Sequence, residues 1–257
     1  MGLTDIAIRF AAPVPKPDSF DRYLFIGPHP DDIEIGAGAS VAALKALGKE
    51  ICFLICIDGR YGDGNADSSL SPDALAELRR SEAIASAKEL GVNDVRFLGL
   101  CDGGFYDYNE LLNGIAFVVG EFKPDIIFCP DPFSASECHA DHLNVGNAAK
   151  QIAYFAPYKN IMQRYGAGCA PVKAVAFYMT ARPNRFIKTD GYLDKQLHAI
   201  FSNHKSQFIS GGADEKSISL YLKLRAYDFG IRSLHKTAEG FRVLGSTHMH
   251  CMPEAGK

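Results

Sequence analysis

The sequence predicts an α/β protein, a Rossmann-like three-layer sandwich around a mainly parallel sheet. Three observations carry this. Short apolar runs of strand length alternate with longer helical segments from residue 22 to residue 179. The helical segments are long enough to serve as crossovers between parallel strands. The strands exit into loops rich in Pro, Gly, Asp and His, where an open α/β sheet collects its ligands.

Residues 1–20 read as an extended arm. RYLFIG (22–27) is a buried strand, and residues 33–47 form an Ala/Leu-rich helix ended by Gly48. EICFLICI (50–57) is a second strand, followed by the Gly/Asp/Ser loop 58–72. A strong helix over 73–90 is closed by Gly91, then VRFLGL (95–100) forms a third strand and CDGGFYDY a loop. A helix over 109–121 precedes the strand PDIIFCP (124–130) and the exit loop DPFSASECHAD. A helix from about His142 to Phe155 leads to the strand VKAVAFYM (172–179). Helices near 191–203 and 214–229 follow, then a weak extended segment, and 246–257 reads as a flexible tail. No repeat or internal boundary interrupts this, so residues 1–257 are expected to form a single domain.

Composition narrows the function. The net charge is −3, which excludes a global basic field for nucleic acid or anionic membrane. No apolar run approaches a membrane span, and the N-terminal segment lacks a signal-peptide core. The 7 cysteines are odd in number and scattered without a C-x-x-C pair. Cys52, Cys56 and Cys129 lie in apolar runs, which is reduced, cytoplasmic usage. The expected partner is a small molecule; a homo-oligomer is compatible with the sequence.

In the common strand order 3-2-1-4-5, strands 1 and 4 flank the switch point. The first exits into PHPDD and the fourth into ECHADH, so these loops are predicted to share one crevice. His29 and Asp32 are three residues apart at a strand-to-helix turn, and His139 and His142 repeat that spacing. These are the nitrogen and oxygen donors that zinc favours, and three protein ligands with one open position is its catalytic pattern. Adjacent side chains diverge at a turn. One aspartate can therefore bind a cation while Asp31 faces the metal-bound water as general base. His139 is then free to stabilise an oxyanion or protonate a leaving group. Iron(II) takes the same ligand types. The bland alternative is a helix N-cap at Asp31 or Asp32, with satisfied surface histidines.

PHPDD and HADH, in this order on this βαβ pattern, resemble the LmbE/PIG-L family of zinc-dependent N-acetylglucosamine deacetylases. The resemblance runs from about residue 22 to residue 243 and includes DGRYG, RRSEAIASAKELGV, FLGLCDG, HKSQ and AEGF. It implies zinc on His29, Asp32 and His142, Asp31 as general base and His139 as the second catalytic group. It also implies Arg79 and Asp102 near the sugar hydroxyls. His204 of HKSQ is a further candidate to reach the substrate. The chain departs from the family at Pro28 (usually alanine), Ala140 (usually proline) and Glu137, where some members carry an oxyanion-donating tyrosine.

The expected activity is therefore hydrolysis of the acetamide of an N-acetylated amino sugar. Two other classes remain open from sequence alone. One is a nucleotide-dependent oxidoreductase, suggested by GAGAS (36–40) with Asp58 twenty residues past Gly38. The other is a non-catalytic metal- or sugar-binding module.

Overall fold

The run RYLFIG forms β1 (Arg22–Gly27), and its two faces divide the core. Tyr23 and Phe25 point to one side of the sheet, Leu24 and Ile26 to the other. The structure, a computed structural model, describes residues 10–62, 69–250 and 252.

β1 pairs in parallel with β2 (Glu50–Ile57) and with β4 (Ile126–Pro130). β3 (Asp94–Leu100) flanks β2, and β5 (Ala174–Tyr178) flanks β4, both in parallel. The predicted order 3-2-1-4-5 is thus the observed one. Two antiparallel strands extend it: β7 (Ala238–Gly245) pairs with β5, and β6 (Arg185–Lys188) pairs with β7. Among the described residues the sheet has 7 strands.

The helices form the outer layers. α1 (Asp32–Ala46) and α2 (Pro72–Leu90) pack over Tyr23, Phe25, Phe53 and Phe128. Phe25 and Phe128 stack at 4.4 Å between ring centres. α3 (Tyr108–Phe122) and α4 (Ala140–Phe155) cover Leu24, Ile26, Leu54 and Ile127 on the opposite face. Each such side chain, fully buried, stabilises the fold by roughly 1.5–3 kcal/mol. Cys52, Cys56 and Cys129 are buried in this core, and burial holds their thiols well above the ordinary range. α5 (Lys159–Arg164) is a short connector. α6 (Leu193–Asn203) lies against α1 and α2, and α7 (Ala213–Ser233) packs on β6 and β7.

The helix ends follow their local chemistry. Ser71 caps α2 by accepting from the Ala74 N–H, Pro72 begins the helix, and Gly91 closes it at φ +93°. GAGAS sits inside α1. A Cβ at Gly36 would meet Tyr178 Cδ2 at 2.3 Å, and one at Gly38 would meet Gln196 Cγ at 2.9 Å. Those glycines admit protein side chains, so no pyrophosphate cradle is built there. Asp58 is committed to Arg60, at 2.9 and 2.6 Å. The dinucleotide expectation loses both supports.

The structure adds to the sequence reading at four places. The weak extended segment is the eight-residue strand β7; half-buried Glu239 and buried Arg242 interrupt the apolar pattern that would have marked it. Glu239 accepts from the Ala39 and Ser40 N–H groups and from Gln196, and Arg242 stacks over Phe133. The edge strand β6 and the helix α5 were not anticipated at all. The start of the tail is docked, since His248 is buried and its Nε2 lies 2.8 Å from the Ala12 carbonyl. Part of the arm is docked too, because the Arg185 guanidinium donates to the Val14 carbonyl. The remainder of the arm (1–9) and most of the tail (251, 253–257) lie outside the described residues.

Candidate metal and catalytic site

β1 and β4 are neighbours, so their exit loops meet. After β1 the chain turns sharply; a Cβ at Gly27 would meet Ile33 at 2.8 Å. Asp31 occupies the cap position of α1 at φ 130°, a conformation uncommon for a residue with a side chain. Its carboxylate makes no capping hydrogen bond. The helix-cap alternative therefore fails at Asp31, whose side chain lines a cavity instead. Strain of this kind persists only where the surroundings hold it. Arg79 does so: its Nη2 donates to the Pro30 carbonyl at 3.1 Å and reaches Asp31 Oδ2 at 3.4 Å, while Nη1 donates to the Gly59 carbonyl.

Asp32 Oδ2 gathers three nitrogens. The His29 N–H donates to it at 2.9 Å, His29 Nδ1 lies at 3.2 Å and His142 Nε2 at 3.3 Å. A tetrahedral zinc ion with bonds near 2.0–2.1 Å separates its donors by about 3.3 Å. The side-chain spacing matches, so His29, Asp32 and His142 fit a divalent cation. Iron(II) suits the same set.

Each histidine turns its other nitrogen to a carboxylate. His29 Nε2 lies 3.0 Å from Asp141 Oδ2, and His142 Nδ1 lies 3.0 Å from Glu137 Oε2. Such carboxylates fix the tautomer and ring angle of a metal-binding histidine. Asp141 is anchored in turn by the Gly103 and Gly104 N–H groups, both at 2.8 Å. His29, His139 and Asp141 form a second possible donor group. It would sacrifice the His29–Asp141 hydrogen bond, so the first set is the better fit.

Electrostatics reinforce the geometry. Burial pushes the His29 imidazole down, but Asp141 and Asp32 outweigh it and raise the group to about 10. His142, also opposed by burial, is raised by Asp32 to about 8. Asp32 is held far below the usual carboxylate range, as His142 and His29 overcome its burial. Burial raises Asp31 to about 6, against the pull of Arg79. Two neighbouring carboxylates thus sit in opposite environments, one a permanent anion and one poised near neutrality.

His139 caps α4. Its Nδ1 accepts from the Asp141 N–H at 3.3 Å, which leaves Nε2 to carry the proton in the neutral ring. Burial and the neighbouring His29 and His142 lower its pKa. The cavity, of about 460 Å³, is lined by His29, Asp31, Arg79, Asp102 and His139, with Tyr61 among the loop residues. Asp102 Oδ1 accepts from the Gly59 N–H at 2.7 Å and Oδ2 from the Tyr61 N–H at 2.8 Å, so it also shapes the loop after β2. Gln207 Nε2 ties that loop down through the Gly62 carbonyl.

Seven of the eight site residues expected from sequence come together here. His204 does not. It is fully buried, with Nε2 3.5 Å from Glu34 Oε1, and does not line the cavity. Sequence reasoning passed over Asp141 altogether and treated Glu137 only as a missing tyrosine. The signal for both was a carboxylate one residue from a ligating histidine, or five residues before it on the same loop.

The chain is similar to several known proteins. Residues 24–153 match the family described as PIG-L, GlcNAc-PI de-N-acetylase. The chain is 32% identical over 240 residues to the diacetylchitobiose deacetylase of Thermococcus kodakarensis, across 91% of this chain and 87% of that protein. It is 29% identical over 196 residues to the 1D-myo-inositol 2-acetamido-2-deoxy-alpha-D-glucopyranoside deacetylase of Kineococcus radiotolerans, of whose length it spans 54%. The solved N,N'-diacetylchitobiose deacetylase from Pyrococcus horikoshii superposes with a TM-score of 0.85 at 27% identity, covering 98% of this chain and 97% of that one.

Proposed function

The chain belongs to the PIG-L, or LmbE-like, family of de-N-acetylases, and on that premise we propose that it removes the acetyl group from an N-acetylglucosamine-type sugar or glycoconjugate with the help of a divalent cation, zinc first. The observation that carries this is the convergence of His29, Asp32 and His142 donor atoms beside an uncapped Asp31 that faces the cavity.

His29, Asp32 and His142 would hold the cation. When bound, it supplies Lewis acidity and lowers the pKa of water at its open position. Asp31 accepts the proton of the attacking water at its carboxylate and later delivers it to the departing nitrogen. His139 donates its Nε2–H to the oxyanion that develops from the acetamide carbonyl. The N-termini of α1 and α4, which begin at Asp32 and Ala140, add their positive ends to the same charge. Water adds to the carbonyl carbon, the C–N bond breaks, and acetate and a free amine leave. Arg79 and Asp102 wall the cavity where the sugar hydroxyls would lie. The volume is that of a small-molecule site.

Named relatives act on diacetylchitobiose and on a GlcNAc-inositol, and both present this acetamide. No helix among the described residues is long and apolar enough to cross a membrane, and the six described cysteines are free. Reduced thiols support a cytoplasmic setting.

The test is metal content and acetate release measured together. The purified chain should hold about one zinc per chain, lost in His142→Ala, and should release acetate from at least one of N-acetylglucosamine, diacetylchitobiose or GlcNAc-inositol. Absence of metal after incubation with zinc, or bound metal without acetate release from all three, would overturn the reading.

A further inference from the structure

The start of α1 has two tasks. Asp32 is a donor of the metal group, and Asp31, just before it, lines the cavity. One to two turns further on, at GAGAS, side chains from elsewhere enter the hydrogen-bond ladder of the same helix. The Ser40 N–H donates to Glu239 Oε2 at 2.7 Å, and the Ala39 N–H donates to Glu239 Oε1 at 3.3 Å. In a helix interior the partners of those two N–H groups are the Gly36 and Ile35 carbonyls. The carbonyl side is entered as well. Gln196 Nε2 donates to the Glu34 carbonyl at 2.8 Å and reaches the Ile35 carbonyl at 3.4 Å. It also donates to Glu239 Oε1 at 2.9 Å, which joins the two intruders. The Ile35 carbonyl and the Ala39 N–H are one rung of the ladder, and both ends of that rung meet a side chain from outside α1. Insertion of this kind is one of the few causes that change the direction of a helix.

The surroundings are built for it. Gln196 comes from α6 and is 2% exposed; Glu239 comes from β7. Gly38 leaves the room, since a Cβ there would meet Gln196 Cγ at 2.9 Å. For packing alone an apolar side chain would serve as well as a carboxylate taken partly out of water. The same stretch is held a third time: Glu34, whose carbonyl Gln196 binds, turns its carboxylate to His204 Nε2 at the end of α6, and both residues are buried. GAGAS, AEGF and the histidine of HKSQ, none of which the chemistry above uses, thus converge on the two turns of α1 that follow Asp31 and Asp32.

We propose, on the metal-dependent deacetylase reading given above, that Gln196 and Glu239 act as one pair of positioning residues: inserted in the ladder of α1, they aim its first turn so that Asp32 meets His29 and His142 while Asp31 faces the cavity.

Two variants test this. Glu239→Gln keeps the volume but turns an amide N–H₂ toward one of the helix N–H groups. Gln196→Met keeps the length and removes the donor. In each, zinc affinity should fall by about 10–100-fold, read by titration against a competing chelator. Turnover at saturating zinc should fall by about 10–100-fold, since a misplacement of about 1 Å is enough for that. KM for the acetylated sugar should stay unchanged, because the groups displaced are a ligand and the base and not the wall that holds the sugar. The visible spectrum of the cobalt(II)-loaded protein should shift, as its bands follow donor geometry; a residue that served stability alone would leave the folded fraction with the wild-type spectrum. The double variant should lose no more than the worse single one, because removing either partner undoes the insertion. If Glu239→Gln does not fold, Gln196→Met carries the same affinity, turnover and spectral readings. Wild-type affinity and an unmoved spectrum in the variants, or losses that multiply in the double variant, would overturn the proposal. A wild type that takes up no zinc overturns the deacetylase reading and this one with it. A wild type that binds zinc and releases acetate, beside variants that match it, overturns this one alone.

Discussion

Glu137 Oε2 lies 3.0 Å from His142 Nδ1, and this contact gives the loop after β4 a second task besides carrying the ligand. Glu137 Oε1 also accepts from the His139 N–H at 2.8 Å, so one carboxylate fixes both the ring of His142 and the backbone at His139. Glu137→Gln keeps the size but removes the charge. Metal affinity should fall by about 10–100-fold, as read by titration against a competing chelator. An unchanged affinity would mean that the ring is held by something else.

Asp31 neither caps its helix nor belongs to the best-fitting donor set. Asp31→Asn should therefore retain the metal while turnover falls by about 10²–10⁴-fold. Zinc content and acetate release on the same preparation separate the two effects. Loss of zinc in this variant would instead make Asp31 a ligand.

Metal binding should be steeply pH-dependent. His29 and His142 are raised in the folded, metal-free protein to about 10 and about 8, above the ordinary 6.5. Protons on these groups stabilise the metal-free fold fully below pH 6.5, and that contribution is lost as pH rises through the folded values. A cation must displace the same protons, so its apparent affinity should rise by about tenfold per pH unit for each proton released. The zinc-induced gain in melting temperature should accordingly grow between pH 6 and pH 8. A gain that shrinks over this range would place the metal elsewhere.

Gly36 faces the ring of Tyr178, whose hydroxyl donates to the Ile26 carbonyl at 2.8 Å. Gly36→Ala should destabilise the fold by about 1–3 kcal/mol through overpacking. Thermal or urea unfolding measures it directly. A variant of wild-type stability would show that α1 can slide away from the sheet at no cost.

The sequence alone determined the first five strands, the chemistry of the loops that follow them and the spacing of His29, Asp32, His139 and His142, whereas the strand order was borrowed from the commonest arrangement of such folds. Those features are local: apolar periodicity marks a strand, and ligand spacing within a loop survives folding unchanged. Whatever depended on distant partners was decided only by the tertiary structure. β7 is legible as a strand once half-buried Glu239 meets the N–H groups of Ala39 and Ser40, some two hundred residues earlier in the chain. His204 looked like a pocket residue until packing sealed it against Glu34. The His29–Asp141 contact joins groups 112 residues apart. The entry of Gln196 into the ladder of α1 carries no warning in sequence, because a side chain's partners depend on what the rest of the chain brings to it.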